Sequence, residues 1–232
     1  MQTNQLDNFG SRETGLGDTL LLTSICKYNV GKYKIQLRPS QERFKILFDD
    51  LADTEVTEKI NFPAQIGGGH YSTRLLRAFY KNADLLDNKP LVIHRDKDSE
   101  MWAESYLNQI KNPIIFVPTC AKRWSKIRNL PNDLVLNIFD SMAKQGFSPI
   151  VCSSKDNSPN IHHDVHTLID LDLSKYISLL RKVGKYVGCN TGDMHLAISV
   201  GAECQVFQPQ KNQFFYPEEW CYKSNNIKYV IF

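Results

Sequence analysis

No run of apolar residues in this 232-residue chain is long enough to cross a bilayer as a helix, so no membrane span is expected within it. The opening stretch, MQTNQLDNFGSRETG, lacks the apolar core of a signal peptide, and no secretory leader is expected there. A large excess of either charge is missing too. With 28 Lys and Arg against 25 Asp and Glu, the net charge of +3 is too mild to imply nucleic acid, although a local basic patch could meet a phosphorylated ligand. Cys26, Cys120, Cys152, Cys189, Cys204 and Cys221 form no C-x-x-C pair. Several lie in apolar, strand-like runs, and they read as reduced packing residues of a cytoplasmic protein. What remains, 42% hydrophobic and 23% charged residues, is a globular composition sufficient for one domain or two small ones.

Along the chain, residues 1–13 are polar and offer no convincing strand. A Gly-rich turn then runs from Thr14 through Gly15-Leu-Gly17-Asp18 into an amphipathic helix ending near Tyr28, with Asp18 in the first turn, where the helix dipole favours a carboxylate. Tyr33–Arg38 alternates like a strand that Pro39 ends, Gln41–Leu51 has helical spacing, and Val56–Phe62 reads as a strand closed by Pro63. Gly67-Gly-Gly-His70 is a flexible loop before a helix, able to bring His70 to a ligand but more often a plain turn. Leu91–His94 reads as a strand and Asp98–Ile110 as a helix carrying Trp102.

From Asn112 the pattern is cleaner: strand Ile114–Val117, a basic loop over 118–131, and a helix capped by Asn132 or Asp133 that stops at Gly146. Strands Pro149–Cys152 and Val165–Leu171, helix Leu173–Val183, strand Tyr186–Gly188, a small-residue helix Met194–Val200 and strand Cys204–Phe207 follow. Ile227–Phe232 looks like a last strand. Strands alternating with helices of about ten residues predict parallel sheets covered on both faces, with ligands beyond the strand carboxyl ends. The expected architecture is α/β: two Rossmann-like lobes, residues 1–111 and 112–232, facing across a cleft and hinged near Lys111–Pro113.

The turn Cys189–Asp193 organises the second half. A strand entering a helix through a Gly-containing turn leaves free N–H groups at the positive end of the helix dipole, which suits an anion. An ordinary βα turn capped by Asn190 or Thr191 is the competing account. The loop at 118–131 leaves a strand carboxyl end as well, so the two should share one rim.

Together, Gly15-Leu-Gly-Asp-Thr-Leu-Leu-Leu-Thr23, the loop from Pro118 through Lys126, Arg128 and Leu130-Pro131, and Gly188-Cys-Asn-Thr-Gly-Asp-Met-His-Leu-Ala197 with Phe207-Gln-Pro209 resemble glycosyltransferase family 9. This is the ADP-heptose:lipopolysaccharide heptosyltransferase family of the GT-B fold. The resemblance extends over residues 112–209 and locally over 14–38. It implies inverting transfer of a sugar from a nucleoside diphosphate to an acceptor hydroxyl, with Asp18 at the position of the family's general base. Lys126, Arg128, Asn190, Thr191, Gly192 and His195 are implied on the donor and phosphate side. Gly17, His70 and Trp124 are candidates for further substrate contacts, and Lys122 and Arg123 are rivals for the phosphates. The implied partners are a nucleoside-diphosphate sugar and a glycan, lipid-linked or other hydroxyl acceptor; no obligatory metal or other cofactor is implied. The location would be cytoplasmic, free or peripheral at the membrane.

This sequence departs from the family at two places in the last motif: Asn190 stands where Asp is common and Asp193 where Pro is usual. Those changes support an alternative reading, a binding or structural protein that keeps the cleft but transfers nothing; another nucleotide-sugar enzyme, an epimerase or hydrolase, is a third. Asp96-x-Asp98 and Asp170-x-Asp172 mimic a metal-binding pair, but both flank helix starts, where capping accounts for them. His162-His-Asp-Val-His166 reads as a polar loop before a metal site. Trp102 reads as core, and Trp124 as the aromatic best placed for the cleft, ahead of Trp220.

Overall fold

The computed structural model describes residues 8–10, 15–63, 65, 71–120, 125–157, 159, 165–210, 221–222 and 224–232. The chain divides into two compact units, Met1–His94 with Tyr216–Tyr222, and Arg95–Phe215 with Lys223–Phe232. The break thus follows His94 rather than falling near Lys111. The reason is packing: helix α4 (Lys97–Leu107) lies on α7 (Leu173–Val183) of the second unit. Among the described residues no helix is long and apolar enough to cross a membrane.

The first unit holds a three-stranded parallel sheet in the order β1 (Asn8–Phe9), β2 (Lys34–Leu37), β3 (Asp53–Val56). A strand therefore does precede Gly15, contrary to the expectation from its polar sequence. It is only two residues long, and Phe9 buries against Tyr33 and Phe79. Gly10 ends it where a Cβ would collide with the Gln36 carbonyl, so no larger residue fits beside β2. Helices α1 (Leu16–Leu21) and α2 (Thr23–Cys26) follow the turn, burying Leu20, Leu21, Leu22 and Ile25. Pro39–Phe48 is a 3-10 helix rather than an α-helix; Gln41, Phe44 and Leu47, three apart, form its buried face.

Two expected strands do not form as read. β3 lies at Asp53–Val56, and the chain beyond it crosses the sheet end. There Asn61 donates its N–H to Gln36 Oε1 (2.8 Å) and accepts from Gly10 N (2.9 Å). Leu91–His94 is irregular because Leu91 N donates to the buried Thr23 hydroxyl (2.9 Å), not to a neighbouring strand. Helix α3 (Tyr71–Leu76) completes this unit.

The second unit is built on six parallel strands: β4 (Pro113–Val117), β5 (Ser148–Ser153), β6 (His166–Ile169), β7 (Lys185–Cys189), β8 (Glu203–Gln208) and β9 (Ile227–Ile231). Their spatial order, β6-β5-β4-β7-β8-β9, is the doubly wound 3-2-1-4-5-6 arrangement. Helices α5 (Ser125–Arg128), α6 (Asn132–Lys144), α7 and α8 (Gly192–Ser199) fill the connections. Ile114, Phe116, Val151, Val187, Cys189 and Phe207 form a core with Leu130, Val135 and Met142 from the α5–α6 side. Alternation places Ile115 on the opposite face.

Helix starts are explicit. Asp96 caps α4 by accepting from Ser99 N (2.9 Å), and Asp172 caps α7 by accepting from Ser174 N (2.9 Å) and Lys175 N (3.3 Å). Asp170 sits in a left-handed turn (φ 50°) and accepts from Lys155 N. Local backbone bonding therefore engages a carboxylate of each Asp-x-Asp pair, as the capping account expects. α6 is an exception: its N-cap is Pro131 with no side-chain cap, and Asn132 and Asp133 are already inside the helix.

Candidate functional site

Strand order reverses between β4 and β7, which pair in parallel through Ile115–Tyr186, Phe116–Val187 and Val117–Gly188. At such a switch point the two outgoing connections diverge and open a crevice beyond the strand carboxyl ends. Here those connections are the basic loop after β4 and the turn after β7, sharing a rim as their strand-to-loop pattern predicts. The close approach is possible because residue 188 is glycine: a Cβ there would strike the Val117 carbonyl and come within 2.8 Å of the Tyr186 hydroxyl.

The loop is clasped at its base. Leu130 N donates to Pro118 O (3.0 Å), and Cys120 N donates to Asn129 Oδ1 (2.8 Å). Its short helix, α5, carries Lys126 exposed and Arg128 half-buried. Arg128 Nη1 reaches across to the Asn190 carbonyl at 3.5 Å, tying loop to turn. Burial pushes the Cys120 thiol up to about 11, partly offset by the Arg128 charge.

On the turn, Thr191 is the N-cap of α8, with its Oγ1 accepting from Asp193 N at 3.2 Å. That cap leaves the N–H groups of Gly192 and Met194 unclaimed by it. The same hydroxyl donates to Asp193 Oδ2 at 3.0 Å, so Thr191 is occupied by Asp193 on both counts. Burial raises the pKa of the Asp193 carboxyl; the bond from Thr191, a backbone hydrogen bond and the facing Tyr176 hydroxyl pull it back. Asn190 is 4% exposed: Nδ2 donates to Gln208 Oε1 (3.4 Å), while Oδ1 has no partner among the described residues. His195 is buried one turn into α8.

Arg128, Asn190, Thr191 and Gly192 are thus gathered at one mouth, with Lys126 on the adjoining helix and His195 beneath. Three neighbouring residues escaped the sequence reading or entered it only as part of a motif. Gln208 at the end of β8 holds the Asn190 amide; Ser153, at the end of β5, and Tyr176 each bury a side-chain oxygen with no hydrogen-bond partner among the described residues. Their signal was positional. Ser153 and Gln208 end strands at the rim, and Tyr176 lies in the first turn after an α-helix start at that same end.

In the first unit, Gly15 is the N-cap of α1, Gly17 its second residue and Asp18 its third. The turn is held by a buried polar chain: Gln41 Nε2 donates to Thr19 Oγ1 (2.9 Å), which donates to Gly15 O (2.9 Å), while Arg38 N donates to Gln41 Oε1 (3.0 Å). The half-buried Asp18 folds back until its Oδ2 lies 3.3 Å from where a Gly15 Cβ would be, so a side chain at 15 would crowd the carboxylate. His70, Trp124, Lys122, Arg123, His162, His163 and Trp220 lie outside the described residues. Trp102 is not simple core: half-buried, it stacks on Tyr106 (5.4 Å between ring centroids) beneath Lys175. Among the described residues no three His, Cys, Asp or Glu side chains group as a metal site.

The second unit is thus a doubly wound parallel sheet with a polar mouth at its switch point. No protein-family model matches the sequence, and no curated protein matches it. Solved structures do match. A glycosyl transferase family 9 protein from Veillonella parvula DSM 2008 superposes with a TM-score of 0.70 at 8% identity, over 97% of this chain and 85% of that one. ADP-heptose lps heptosyltransferase II of E. coli gives 0.68 at 8% identity, over 97% and 90%. The dodecameric iron-containing heptosyltransferase TibC, in complex with ADP-D-beta-D-heptose, gives 0.61 at 11% identity, over 95% and 61%. At these identities the likeness is one of fold: the chain has the fold of family 9 glycosyltransferases.

Proposed function

We propose that this protein is a glycosyltransferase that moves a sugar from a nucleoside-diphosphate donor to an acceptor hydroxyl with inversion. The observation that carries the reading is the switch point of the six-stranded sheet, where Arg128 meets the amide-bearing mouth of α8. In this reading Gly192 and Met194 N–H, Arg128 and Lys126 stabilise the departing diphosphate by electrostatic preorganisation. Asn190, Gln208 and His195 shape the donor pocket. Asp18 takes the acceptor's proton as the C–O bond to the departing phosphate breaks and the new glycosidic bond forms on the opposite face. The fold neighbours are glycosyltransferases, and TibC was solved with a nucleotide sugar, which supports the substrate class.

Incubation with a panel of nucleoside-diphosphate sugars, following release of free nucleoside diphosphate, tests the reading. The wild type should release it slowly with water as acceptor. Asp18→Asn should lose that activity by about a hundredfold or more with binding retained. Equal turnover by both proteins would remove Asp18 from the chemistry. A second reading, a nucleotide-sugar-binding protein without transfer activity, is favoured by the carboxylate of Asp193 at the phosphate mouth. Tight binding without release by either protein, with every acceptor tried, is the outcome it expects.

A further inference from the structure

Asp193 is the second residue of α8, where a helix offers its N–H groups to an anion, yet it puts an anion there itself. Its carboxylate is held at the mouth, with Oδ2 accepting from the Thr191 hydroxyl at 3.0 Å and its own N–H donating back to that hydroxyl at 3.2 Å. The buried Tyr176 hydroxyl, which has no full hydrogen bond among the described residues, faces it from α7. Arg128, a cation of the rim, donates to the Asn190 carbonyl at 3.5 Å. Tyr176, Tyr186, Cys120, Cys152 and Cys189, the other titratable groups that sense Asp193, are all kept neutral by burial. Asp193 therefore adds a carboxylate to this mouth.

We propose that Asp193 is a specificity-determining residue that makes the mouth of α8 prefer a diphosphate whose terminal phosphate is esterified over a free nucleoside diphosphate. The inference rests on the donor-site reading above. Esterification leaves one negative charge on each phosphate of a sugar nucleotide. The free terminal phosphate approaches two charges above its second ionisation near pH 6. A fixed carboxylate within a few ångströms penalises that extra charge, and partial burial enlarges the penalty by lowering the local dielectric. The donor is thereby favoured over the product that transfer leaves behind, and release of that product is assisted.

The test is calorimetric binding to the full chain at pH 8, using ADP with ADP-glucose and UDP with UDP-glucose. It compares wild type, Asp193→Asn and Asp193→Ser, and reads the ratio of dissociation constants within each pair. Contacts to the sugar contribute to the ratio itself, so the informative quantity is its change on substitution. Both variants should lower the ratio of the free to the esterified dissociation constant by on the order of tenfold, through tighter binding of the free diphosphate. Serine retains a helix-start hydrogen-bonding group, so a folding defect confined to one variant, seen as a lowered Tm, leaves the other to decide. Variants that bind both ligands with the wild-type ratio overturn the assignment while leaving the donor site intact. If no pair binds to any of the three proteins, the donor-site reading fails and the assignment fails with it.

Discussion

Gly188 joins backbone geometry to the site. It lies where β7 runs beside β4, directly before the turn that carries Asn190 and Thr191, and its missing Cβ makes room for the Val117 carbonyl and the Tyr186 ring. The Tyr186 hydroxyl uses that space to donate to Cys189 O at 3.1 Å. Replacing Gly188 by alanine adds one methyl group against strand backbone that cannot yield. Gly188→Ala should lower stability by roughly 2–4 kcal/mol, read as a fall in the urea midpoint. An unchanged midpoint would mean that the two strands can part without loss. The motif residues themselves were legible as residues: order, spacing and strand–turn–helix context placed Asn190, Thr191 and Gly192 at a helix mouth before any coordinates. Tyr176 was not, because an aromatic at helical spacing reads as core, and only the fold puts its hydroxyl against a carboxylate.

Elements were readable to the extent that burial wrote a pattern into them. β4, β5, β7 and β8 are buried on both faces, so each appears as a short apolar run bounded by polar turns. α7 shows both ends, with Asp172 at its start and Gly184 in a left-handed conformation (φ 67°) at its end. The first unit gives weaker signals. β3 is the polar sequence Asp53-Thr-Glu-Val56 on a partly exposed edge, and β1 is two residues whose pairing depends on β2. Side chains also replace ladder bonds there, as Thr23 does for Leu91 and Gln36 for Asn61. Patterns of period two cannot report such bonds. The caps do make quantitative claims: Asp172→Ala removes the acceptor for two α7 amides and should cost about 1 kcal/mol. Asp172→Asn keeps an acceptor and should recover most of it in thermal melts. If the alanine variant melts like wild type, the Asp172 bonds contribute nothing net.

Across the whole molecule, five of the six cysteines are buried and Cys221 is half-buried, and all are free thiols. Burial pushes Cys26 up to about 12, Cys204 to about 12 and Cys120 to about 11, and raises Cys152 and Cys189 as well, against an ordinary value of 9.0. The reactive form of a thiol is the thiolate. At pH 8 the native chain should therefore react with an aromatic disulfide reagent first at Cys221, with all six cysteines reacting only after denaturation. The same shifts carry a sign for stability. An acid whose folded pKa lies above its unfolded one contributes fully below the unfolded value, and that contribution is lost as pH rises towards the folded value. Thermal stability should thus be insensitive to these thiols up to about pH 8 and fall between about pH 9 and 12 as the unfolded chain ionises ahead of the folded one. Cys204→Ala should flatten part of that fall, because it removes one such thiol from both states while leaving a small apolar residue in the core. If the decline keeps its full slope in Cys204→Ala, ionisation of this thiol is not among the forces that open the protein in alkali.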